Sequence, residues 1–67
     1  MSDKIMVTIQ YNAGGREIFR DVNHCYVESL MYNMIFLKED EATGQKLHET
    51  IRIPIDAIFQ ITEIREI

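Results

Sequence analysis

Tryptophan is absent from the 67-residue chain, and cysteine and proline each occur once. The single thiol, Cys25, has no partner for a disulfide within the chain, so the stapling used by small secreted domains is excluded and a reducing compartment fits better. Long apolar runs are lacking too. The longest, Met34-Ile35-Phe36-Leu37, falls far short of the roughly 20 residues that span a bilayer. The start Met-Ser-Asp-Lys has none of the apolar stretch of a signal peptide. No membrane association is expected, and a cytoplasmic location is. Basic charge is scarce: seven Lys and Arg face eleven Asp and Glu, a net charge of −4 that opposes non-specific attraction to phosphate backbones and anionic membranes.

What is present suits one small folded domain, residues 1–67. A hydrophobic fraction of 46% beside 27% charged residues is ordinary for a globular chain and argues against disorder. A chain of this length buries only roughly 60% of its unfolded surface, which supports one core and a small margin of stability. With no disulfide to help, self-association is the natural additional support.

Along the chain, period two dominates. In residues 4–11, Ile5, Val7, Ile9 and Tyr11 share one face while Lys4, Thr8 and Gln10 share the other, the pattern of a half-buried strand. Asn12-Ala13-Gly14-Gly15 follows, and its glycines can take positive φ and reverse the chain. Between residues 16 and 27 the apolar positions switch parity, which requires a bulge or sharp bend near residues 21–23. Residues 22–37 admit two readings. Val22, Tyr26, Leu30, Asn33 and Leu37 lie near one helical stripe that Asn23 could cap, whereas the Val, Tyr, Ile and Phe content favours strand. A polar stretch over residues 38–46 with Gly44 near its centre reads as a long hairpin tip. Ile51, Ile53 and Ile55 then alternate with Thr50, Arg52 and Pro54, and the proline, unable to donate to a ladder, places that strand at an edge or end. Asp56 and Ala57 suit a single tight turn before a last strand over residues 58–64.

The fold expected is therefore all-β: a small five-stranded antiparallel barrel or strongly bent sheet. It resembles SH3-like and Sm-like barrels in architecture only, with no motif tying it to either family. The alternative is an α+β fold with a helix at about 22–37.

No arrangement of residues calls for catalysis. His24 and Cys25 are neighbours, and on a strand neighbours point to opposite faces, so they cannot act as base and nucleophile. A metal centre would need His24, Cys25, His48 and a carboxylate to converge, but no CxxC or HxxxH spacing supports one, and no cofactor is expected. Glu39, Asp40 and Glu41 lack the alternating oxygen ligands of a calcium loop. Gly14-Gly15 lacks the Lys-Ser/Thr of a phosphate loop.

Two binding readings remain. The first is a non-catalytic protein-binding or regulatory module that forms homo-oligomers. Ile5, Val7, Ile9, Ile18, Val22, Val27, Ile35, Leu37, Ile51, Ile53, Ile58 and Ile61 already fill a core of this size. Leu30, Tyr32, Met34 and Phe36, on one strand face, are then left over as an exposed apolar strip for an interface. The second is a nucleic-acid-binding barrel using Tyr11, Arg16, Phe19, Arg20 and Tyr26, since bases stack on rings and guanidinium groups hold phosphates. Net charge disfavours it: Asp3, Glu17 and Asp21 offset Lys4, Arg16 and Arg20.

Overall fold

The computed structural model describes residues 4–65, most of them in strands, with one short 3-10 turn. The strands are β1 (Ile5–Tyr11), β2 (Arg16–Val22), β3 (His24–Glu28), β4 (Met31–Glu39), β5 (Lys46–Pro54) and β6 (Ile58–Arg65), with the 3-10 turn Ile55–Ala57 before β6. They form two three-stranded antiparallel sheets, ordered β2-β1-β6 and β3-β4-β5. The alternative helix at about 22–37 is not there: β3 and β4 occupy that span as a hairpin, as the strand reading expects. Its residues pair across the ladder from His24–Ile35 to Glu28–Met31. The all-β expectation holds, but the closed barrel does not. Among the described residues no ladder joins one sheet to the other, so the core is enclosed by two facing sheets with open edges.

Local chemistry explains the turns. Gly14 and Gly15 both have φ near +90°, as the glycine pair implied, and they return the chain from β1 to β2. The bend falls where the parity switch placed it. Ile5 pairs Val22 while Val7 pairs Phe19, so β2 carries one extra residue, and Asp21 sits there at φ 62°. Asn23 then takes the chain to the second sheet: its N–H donates to the Ile35 carbonyl and its Oδ1 accepts from the Leu37 N–H. Pro54 ends β5, an edge strand, where its missing N–H costs no ladder bond.

Packing follows the alternation, with a change in membership. Ile5, Val7, Ile9 and Val22 from the first sheet meet Tyr32, Met34, Phe36 and Ile53 from the second. Three residues expected inside are exposed: Ile18, Val27 and Leu37. Ile18 is displaced because the residue facing Val7 on β2 is Phe19, which fixes Ile18 on the outer face opposite Thr8. Leu37 alternates with the buried Phe36 and so faces outward. Val27 lies at an end of its sheet that nothing covers.

Candidate functional site

The strip expected to be exposed is mostly interior. Tyr32 (3% exposed), Met34 (0%) and Phe36 (8%) form the floor of the core, and only Leu30 of that set reaches solvent. Ile18 and Leu37 point to the outer faces and Val27 lies on the inner face beyond the cover of the first sheet, so the β4 residues fill the core in their place. Leu30 stands at the tip of the two-residue β3–β4 turn, where it and Ser29 both hold positive φ.

The nucleic-acid set is scattered. Tyr11 and Phe19 pack partly against the core on the inner side of the first sheet. The Tyr11 hydroxyl donates to Glu17 at 2.6 Å, and burial together with that carboxylate pushes its pKa up to about 12. Arg16, on the opposite face, pairs with Gln10, and Arg20 reaches the Met6 sulfur at 3.5 Å. Tyr26 belongs to the other sheet, where its ring stacks on His24 at 5.5 Å. The five residues do not share a surface.

His24 and Cys25 diverge as neighbours on a strand should. His24 stacks outward, whereas Cys25 turns inward beside a small polar cluster. There the buried Tyr32 hydroxyl donates to Glu63 at 2.8 Å, and Arg65 donates to the same carboxylate at 2.8 Å and approaches the Cys25 sulfur at 3.9 Å. The Arg65 and Tyr32 hydrogen bonds hold the Glu63 carboxyl below its ordinary range. Burial pushes the Tyr32 phenol and the Cys25 thiol upward, which leaves Cys25 a poor nucleophile. This cluster closes an end of the core with satisfied polar groups.

The surface open to a partner lies elsewhere. β4 pairs β3 only through Ile35, yet it continues with β5 to Glu39, so residues 37–48 project as a two-stranded arm capped by the turn at 40–45. Leu37 and Leu47 are exposed on that arm. Between its base and β2 lies a groove of about 490 Å3, lined by Phe19, Phe36 and Ile51 and by a balanced set of charges, Lys4, Arg20 and Lys38 beside Asp21 and Glu49. Lys38 pairs with Glu49 at 3.0 Å and sits 5.9 Å above the Phe36 ring. The hairpin tip expected over residues 38–46 is shorter in the structure, where β4 runs to Glu39 and β5 begins at Lys46. The signal in the sequence for that extension is Leu47, an apolar residue that continues the alternation of β5 beyond the charged stretch. Among the described residues, no group of histidine, cysteine and acidic side chains is placed to hold a metal ion, and no helix is long and apolar enough to cross a membrane. No family model, curated protein or solved structure matches this chain.

Proposed function

We propose that the protein is a non-catalytic protein-binding module that works as associated copies of itself, the arm of one copy lying along β2 of the next. The observation that carries this reading is surplus surface. The chain exposes 5252 Å2, against about 4400 Å2 for a compact monomer of this mass. Its radius of gyration is 13.2 Å where about 11 Å is usual for this length. The excess area is close to the roughly 800 Å2 that each partner contributes to a standard interface.

Side-chain chemistry supports the same occupant. The arm offers Leu37 on its outer face and Leu47 on its inner face, and β2 offers Ile18 beside the groove, all exposed. The arm tip carries Glu39, Asp40 and Glu41, whereas the groove mixes Lys4, Arg20 and Lys38 with Asp21 and Glu49, so apolar burial rather than net charge carries the contact. A two-fold pair would use each arm once and close on itself. The lone, poorly reactive Cys25 suits a reducing, cytoplasmic setting. The nucleic-acid alternative loses its geometric basis, because its residues are divided between faces.

Light scattering of the full chain at micromolar concentration tests the reading. A dimer is expected, and Leu37→Asp with Leu47→Asp should give a folded monomer with an unchanged circular dichroism spectrum. A wild-type chain that stays monomeric at high concentration overturns it.

A further inference from the structure

The outer face of the second sheet holds one transverse row unlike its neighbours: Tyr26 on β3, Asn33 on β4 and Arg52 on β5, paired in register. Asn33 faces outward from the core, yet it is 3% exposed, the one buried polar side chain among the described residues. Both ends of its amide are used. Its Oδ1 accepts from Arg52 Nε at 3.1 Å, and its Nδ2 donates to the Met31 carbonyl at 3.1 Å, with the Tyr26 carbonyl at 3.5 Å. Arg52 is thus fixed through Nε, which leaves its two Nη groups as a fork. Among the described residues no carboxylate pairs with it. A cavity of about 350 Å3 opens beside the row, walled by Tyr26, Met31 and Arg52 and edged by Glu28 and Ser29.

We propose that this cavity binds the carboxylate of an acidic residue in an extended segment of a partner protein, with the Arg52 fork gripping it. An arginine normally gives up much rotamer freedom when it binds; here Asn33 has already fixed the guanidinium, so little remains to be lost. Two parallel N–H donors match a planar carboxylate. Glu28 selects among anions: it repels a phosphate dianion more strongly than a singly charged carboxylate, and a peptide carboxylate also brings neighbouring N–H groups that Glu28 can accept from. β3 is an edge strand of its sheet, where an extended segment can add alongside Tyr26. The inference rests on the reading of the chain as a protein-binding module, but uses a different face from the arm and β2.

The test is a titration of the full chain followed by amide NMR shifts. Three probes serve: a capped β-prone pentapeptide with one central glutamate, its glutamine counterpart, and inorganic phosphate, with a short single-stranded RNA as a fourth arm. The glutamate peptide should shift Tyr26, Ser29 and Arg52 saturably, and the glutamine peptide should bind about tenfold more weakly. Arg52→Lys, which keeps the charge and loses the fork, should weaken the glutamate peptide by a similar factor. Equal binding of the two peptides, or stronger effects of phosphate or RNA on these amides, overturns the proposal. Light scattering on the same samples separates the readings. Lost peptide discrimination in an intact dimer refutes this site alone, and a monomer that still discriminates refutes self-association alone.

Discussion

The β4–β5 hairpin is two structures in one. Over residues 31–36 and 49–54 it is covered by the first sheet, and Tyr32, Met34, Phe36 and Ile53 vanish from solvent. Over residues 37–48 the same two strands keep the same alternation and the same ladder, but nothing lies opposite the inner face, and Leu47, which continues that face beside Lys38, remains exposed. Period two decides which side chains share a face. It does not decide whether a face is covered, because coverage depends on where the other sheet stops.

The strongest way to break that comparison is to remove volume from the covered half. Met34 is fully buried between the sheets, so Met34→Ala should cost about 3 kcal/mol in urea unfolding, through lost transfer energy and the cavity left behind. A charged residue there should unfold the chain. A cost under about 1 kcal/mol would mean that the sheets do not close over β4 as described.

The covered half was legible in kind but not in membership. Alternation in residues 4–11, the glycine pair, the bend at 21–23 and the edge position of Pro54 all rest on local rules, and each appears in the structure as read. The core assignment needed the side on which each parity switch landed. One extra residue at Asp21 puts Phe19 inward and Ile18 outward, and a second switch at Asn23 puts Cys25 inward. No single-strand pattern specifies either, since each depends on pairing with β1 or β4. The candidate surfaces were less legible still. Asn33 and Arg52 lie 19 residues apart and become neighbours only through the β4–β5 register.

At the covered end, polar closure can be weighed against apolar closure. Glu63 accepts from buried Tyr32 and from Arg65, and those bonds lower its pKa. Hydrogen bonds to a charged group contribute about 1.5–3 kcal/mol. Glu63 is roughly a third exposed, so Glu63→Gln should cost nearer about 1 kcal/mol at pH 7. A carboxyl with a depressed folded pKa adds stability above its unfolded value, about 4.3, and loses it as pH falls through the folded value. The gap between wild type and variant should therefore shrink in acid. A gap independent of pH from 7 to 3 would show that the carboxylate charge contributes nothing.

The turn that begins β4 supplies a smaller effect of opposite sign. Ser29 and Leu30 form a two-residue connection with positive φ at both positions, where Asn-Gly is preferred, and Leu30 is also exposed. Leu30→Gly removes the Cβ conflict without uncovering any core and should stabilise the chain by about 0.5–1 kcal/mol. A loss of stability would show that Leu30 packs against something in the folded protein.

The smallest effect is the sharpest test of where coverage ends. Leu47 occupies a regular strand position opposite Lys38, as Ile53 does opposite Tyr32, and the two differ only in what faces them. Ile53 is 9% exposed and Leu47 is 44% exposed. Leu47→Ala should cost under about 0.5 kcal/mol, because little apolar area leaves water when the arm folds and no cavity is created. The measurement must be made by urea unfolding at concentrations low enough to dissociate any assembly, since association would add its own linked stability. Repeated at high concentration, the same substitution should lower the midpoint visibly, because the side chain is then buried against a second copy. A cost of about 2 kcal/mol in the dilute chain would place a roof over the arm within one molecule, and the division of the hairpin into covered and uncovered halves would fall with it.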